Sequence, residues 1–136
     1  MKISLHIRGT TFLRIGISIV ILWFGVQQFL DPTMWVGFIP DFIIKLSPVS
    51  PTTLVHLNGA LELVFGSALL LGFFTRISAL ILALHLLDIT LTIGLDSIGM
   101  RDLGLTLATF AIFLNGADYI SLDRIFFFKP EEETRI

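Results

Sequence analysis

Residues 61–74, Leu61 to Phe74, read LELVFGSALLLGFF, and this stretch decides the fold. A single carboxylic acid, Glu62, interrupts an apolar run of the kind found in membrane-spanning helices. An isolated acid near a bilayer centre costs about 2.5–3.5 kcal/mol on insertion scales, so such a group faces a bundle interior or a water-filled cavity and has a partner. Glu62 and the polar groups at its depth are therefore where a site is expected.

The rest of the chain agrees with a membrane setting. Of 136 residues, 54% are hydrophobic and only 15% are charged, against roughly 25% charged in soluble domains. Mean hydropathy is +0.89. The net charge of −2 includes no basic cluster, so nucleic acid is not an expected partner. With no cysteine, disulfides, thiol redox chemistry and Cys metal sites are excluded.

Hydropathy marks segments at about Thr11–Leu30, Pro51–Phe73, Thr75–Leu95 and Gly99–Asp118. Each approaches the ~20 residues a helix needs to cross ~30 Å of hydrocarbon. None shows the polar alternation of a barrel strand, and only helices satisfy every backbone group within one segment. The expected fold is all-α: an integral membrane, antiparallel four-helix bundle occupying residues 1–136 as one domain, with a tail at 121–136. Segment one follows Lys2, Arg8 and Arg14 as a signal peptide would, yet no A-x-A-like cleavage pattern precedes Ala60, so it is expected to remain a helix.

Four crossings place Lys2, Arg8, Arg14, Arg76, Arg124, Lys129 and Arg135 on one side, and Lys45 and Arg101 on the other. The positive-inside rule then predicts a multi-pass protein of the cytoplasmic (inner) membrane with both termini in the cytoplasm. In the long outer connection, Trp35, Phe38, Ile39, Phe42, Ile43 and Leu46 form one helical stripe, while Pro40 forbids a single undisturbed helix. One or two short interfacial helices, anchored by Trp35 and roofing the bundle, are expected between helices one and two. Gly59, Gly66 and Gly72 with Ala79 and Ala83 suggest a close approach of helices two and three. Thr75 is a candidate cap for helix three, and Ser97 or Gly99 a start for helix four. Phe126–Phe128 should rest at the cytoplasmic interface, and Glu131–Glu133 should form a solvated end.

At 1.5 Å per residue, Glu62 lies roughly 15 Å in from the outer edge of helix two, and on helix three His85 lies about 16 Å and Asp88 about 12 Å in. His85 and Asp88 share one face as i and i+3, and Asn58 and Glu62 share one as i and i+4. Gln27, Gln28, His56, Arg101 and Asp102 lie nearer the outer surface. The first reading of this cluster is structural, with Glu62 paired to His85 or Asn58 to fix helix register. A second is a site for a small redox or lipid-like molecule: protonatable groups beside apolar walls suit a quinone, whose reduction needs protons at its carbonyl oxygens. A metal site fits poorly, since a di-iron bundle wants two Glu-x-x-His motifs and further carboxylates. For a bis-His haem, His56 and His85 differ in depth by roughly 10 Å.

Residues 58–76, NGALELVFGSALLLGFFTR, resemble the signature of the DoxX family: Gly59, Glu62, Gly66, Gly72, and the Thr75-Arg76 turn. Arg14, Gly25, Asp31-Pro32 and Trp35 extend the resemblance to roughly residues 10–120. It implies a four-helix membrane protein of DoxX/DoxD type, a group linked to thiosulfate:quinone oxidoreductase and to membrane assemblies that handle oxidative stress. The leading expectation is a small subunit of a redox or quinone-linked complex, at most a part of an oxidoreductase. Glu62 is then the protonatable centre, His85 its proton partner and Asp88 an extension of the path. Asn58, His56 and Arg101 complete the ligand-binding set, and no metal ligand is assigned. Expected partners are the lipid bilayer with other membrane or redox subunits or a second copy. The alternatives are a non-catalytic accessory or scaffold protein, and a carrier of a small molecule or lipid.

Overall fold

The computed structural model describes residues 5–127, with side chains from residue 9 onward. Among them there are helices and no strand. The long helices are α1 (Leu5–Leu30), α4 (Pro51–Leu71), α5 (Thr75–Ile93) and α6 (Ser97–Asn115); α2 (Pro32–Val36), α3 (Asp41–Leu46) and α7 (Leu122–Phe127) are short. The four long helices are long and apolar enough to cross a membrane, so the expected all-α membrane bundle is the fold. Leu84, Leu91, Leu107 and Leu114 project outward, as a lipid-facing surface requires. Ile17, Ile21, Leu69, Leu82 and Ile112 form the centre.

Three of the spans stop earlier than hydropathy predicts, and the reason is conformational. Gly72, Gly94 and Gly116 all have positive φ, at 69°, 96° and 76°, a region open to glycine at little cost. At Gly72 the chain makes a left-handed C-terminal cap, in which the Phe73 N–H donates to the Ala68 carbonyl at 2.8 Å. A Cβ there would lie 2.4 Å from that of Ser121, so no other residue fits this turn without movement.

Helices pair as α1 with α4 and α5 with α6. Gly59 and Gly66 of helix two serve the first pair rather than an approach to helix three, and Gly72 meets Ser121 and Leu122. A Cβ on Gly59 would lie 3.0 Å from the Gly25 carbonyl oxygen and 3.0 Å from Gln28 Cβ; one on Gly66 would meet Leu22 and Ile21. Backbone approach at Gly25 and Gly59 thus fixes how α1 crosses α4.

The end of the bundle distant from α2 and α3 is locked by ions. Arg14, fully buried, donates from Nε to Asp118 Oδ2 at 2.6 Å and from Nη2 to Oδ1 at 3.2 Å. Its Nη1 donates to the carbonyls of Leu69 and Leu70, the last turn of α4, where a cation is favoured. Asp123, at the start of α7, accepts from the backbone N–H groups of Phe74 and Thr75, each at 2.6 Å. Thr75 is therefore not the cap of α5, since a carboxylate from 48 residues on supplies it. This cap holds Phe74 at φ 46°, the one positive φ outside glycine among the described residues. The fourth span starts at Ser97, one of the two expected starts, and Asp96 caps it by accepting from the Ile98 and Gly99 N–H groups. Phe126 and Phe127 are exposed on α7, while Phe128 and Glu131–Glu133 lie outside the described residues.

Candidate functional site: a roofed cavity over Glu62

Glu62 is buried, with 4% of its surface exposed, and its partners come from two helices. Gln28 of α1 donates from Nε2 to Glu62 Oε2 at 2.8 Å. Asn58, one turn earlier on α4, donates from Nδ2 to Gln28 Oε1 at 2.8 Å and to Glu62 Oε1 at 3.3 Å. From α5, His85 Nε2 stands 3.6 Å from Glu62 Oε1, beyond hydrogen-bond length, and that nitrogen has no hydrogen-bond partner.

The antiparallel crossing explains why Gln28 reaches Glu62. Gln28 follows Gly25 by three residues, and Glu62 follows Gly59 by three. Helical side chains lean toward the N-terminus of their own helix, and the two N-termini point in opposite directions. The two long side chains therefore lean toward each other across the glycine contact.

Above this network lies a cavity of about 560 Å³, within the ~300–1,000 Å³ of ordinary ligand pockets. Glu62, Gln28 and Asn58 lie in its wall, together with Trp23, Phe24, Leu86, Ile89 and Leu105 from the long helices. The connection between α1 and α4 closes it with Trp35, Phe38, Ile39 and Ile43. Pro40 breaks this segment into α2 and α3 and stands at the N-terminal cap of α3. Trp35 packs edge-on against Phe24 with centroids 5.7 Å apart. Its indole Nε1, buried, has no hydrogen-bond partner.

The expected site residues separate. Glu62, His85 and Asn58 come together. Asp88 lines the cavity from an exposed position, and no hydrogen bond or ion pair joins it to Glu62 or His85 among the described residues. His56 stacks on Phe29 at 5.0 Å and 6°, and it is not among the cavity-lining residues. Arg101 lies at the cavity with its guanidinium 4.8 Å from the Phe24 ring centre. Its Nε donates to the buried Asp102 at 2.8 Å, so the acid it neutralises is its own neighbour. Gln28 is the member that depth alone placed too far out, and the Trp35 indole was expected only as an anchor of the roof. The paired spacings Gly25/Gln28 and Gly59/Glu62 were the signal for the first. No group of three or more metal-ligating side chains is assembled among the described residues.

The family model for DoxX matches residues 9–95. The chain belongs to the DoxX family. The match covers α1, the roof, α4 and α5, and so takes in Gln28, Glu62 and His85 together. No curated protein and no solved structure matches the chain.

Proposed function

We propose that this DoxX-family membrane protein is the quinone-binding small subunit of a redox complex, and that its roofed cavity is the quinone site. The observation that carries this reading is a buried carboxyl group, Glu62, in the wall of an aromatic cavity, with an unpartnered histidine nitrogen 3.6 Å away.

The cavity fits a flat ring. Trp23, Phe24, Trp35 and Phe38 offer apolar and aromatic surfaces, and the unpartnered Trp35 N–H, buried under that surface, becomes a donor to a ring carbonyl once the indole turns toward it. The Arg101 guanidinium at the wall offers further donors. A bound quinone supplies two-electron, two-proton redox chemistry. Glu62 and Asp88 both line the cavity and can pass a proton, and Glu62 is the one with His85 behind it to replace that proton. Gln28 and Asn58 hold the carboxyl group in place. Electrons come from a partner oxidoreductase subunit.

Protein purified in mild detergent, with Glu62→Gln in parallel, tests the reading. Stoichiometric quinone identified by mass spectrometry, weakened in the variant, is the expected result. Well-folded protein that carries no quinone and takes none up when it is supplied would overturn it.

The second reading, an accessory subunit without a ligand, has one observation in its favour: both Glu62 oxygens are already met by amide donors at the α1–α4 crossing. Under that reading Glu62→Gln is silent in every assay and only apolar replacements matter.

A further inference from the structure

A second concave site lies at the opposite end of the bundle, around the start of α5. It is a groove of about 760 Å³ lined by Thr75, Arg76, Asn115, Asp123, Arg124 and Phe127, among others. Its charges are unbalanced. Asp123 is already engaged by the N–H groups of Phe74 and Thr75, so its negative charge is met by the first turn of α5. Arg76 and Arg124 are exposed, and no carboxylate pairs with either among the described residues. Arg124 stacks over Tyr119 with its carbon 5.5 Å from the ring centre, a contact that leaves its N–H donors free. The Arg76 guanidinium lies against Gly116, where a Cβ would stand 2.6 Å from Nε; glycine there leaves room for it.

Behind the wall of this groove one buried polar atom has no partner. Thr75 is fully buried, and its hydroxyl makes no hydrogen bond. The groove opens beside exposed Ile77 and Phe74, which belong to the lipid-facing surface. Two exposed guanidinium groups without carboxylate partners, at the level where hydrocarbon gives way to water, match a phosphodiester with acyl chains running along α5.

We infer that this groove binds the phosphate of an anionic phospholipid, with Arg76 and Arg124 as its charged clamp. Both arginines lie on the side the positive-inside count assigns to the cytoplasmic leaflet, where anionic headgroups attract basic residues. The site is separate from the cavity over Glu62 and stands or falls independently of any quinone.

The test is native mass spectrometry of the protein in mixed micelles of equal phosphatidylglycerol and phosphatidylcholine. Preferential retention of phosphatidylglycerol is expected, falling about fivefold in R124Q and about 25-fold in R76Q/R124Q, with R76K/R124K retaining most of it. Retention of phosphatidylglycerol no better than phosphatidylcholine, or undiminished in R76Q/R124Q, would overturn the proposal. Displacement of the lipid by inorganic phosphate alone would overturn the lipid assignment in favour of a free-anion site. If R76Q/R124Q does not purify folded, R124Q decides, because that side chain is exposed and leans only on Tyr119.

Discussion

Gln28 on α1 donates to Glu62 on α4 across 2.8 Å, and each residue sits one turn from the glycine at which those helices touch. The hydrogen bond and the close backbone contact are one device: the missing Cβ atoms allow the approach, and the approach brings the amide to the carboxyl group.

Replacing Glu62 separates chemistry from architecture. Glu62→Gln keeps the shape and an acceptor oxygen for Gln28, so thermal unfolding in detergent should stay within about 1 kcal/mol of the parent. Glu62→Leu leaves the Gln28 amide without its acceptor, while Asn58 still donates to Gln28 Oε1, and should cost about 1–3 kcal/mol for the one group left unsatisfied. Equal stability of the two variants would remove the network from any role in the fold.

The glycine contact is tested by adding one methyl group. Gly59→Ala drives a Cβ against the Gly25 carbonyl and Gln28, and overpacking of this kind costs about 1–3 kcal/mol. Gly104→Ala on α6 meets nothing within 4 Å and should be neutral, or stabilising by up to about 1 kcal/mol through helix propensity. Melting curves of the two variants side by side give the comparison.

The buried pair Arg14–Asp118 should be costly to break and cheap to remove. Asp118→Asn alone leaves a fully buried guanidinium without its counter-charge, a loss of about 3–5 kcal/mol. A double replacement, Arg14→Met with Asp118→Leu, should recover part of that stability, because the desolvation of both ions is no longer required. A double variant weaker than either single one would contradict this account.

Asp123 caps α5 from a distance and holds Phe74 in the left-handed region. Asp123→Ala should lower stability by about 0.5–2 kcal/mol, as loss of a cap does. Phe74→Gly, which adopts that backbone without steric cost, should offset part of the loss in the Asp123→Ala background. Chemical unfolding of the single and double variants reads the coupling.

Trp35 probes the ligand separately from the fold. Trp35→Phe keeps the ring beside Phe24 and deletes the unpartnered N–H. Stability should move by less than about 0.5 kcal/mol. Quinone retention, on the proposed reading, should fall about three- to tenfold, the worth of one hydrogen bond. Retention equal to the parent would take the indole out of the binding set.

The spans were legible in the sequence because hydropathy is a local property, and a bilayer imposes the same length on every crossing. Glu62 was legible for the same reason, as a charge where none is tolerated unpaired. The two-part roof followed from Pro40, and the pairing of His85 with Glu62 from depth along antiparallel helices. Depth alone misplaced Gln28, because it locates backbones while a long side chain reaches toward its own helix N-terminus. It also grouped Asp88 with His85, although i and i+3 share only a broad face; His85 meets Glu62 and Asp88 stands exposed at the cavity.

By itself, then, the sequence determined an all-helical membrane bundle, its short roof and the acid at its heart, all of which follow from period, length and the cost of charge in hydrocarbon. Tertiary structure alone decided which helices touch, that Arg14 closes on Asp118, that Asp123 caps a helix 48 residues away, and that Trp35 and Thr75 keep unpartnered polar atoms beside concave sites. Those choices depend on helix rotation and crossing. The rotation follows from packing across the whole bundle, and no window of residues contains it.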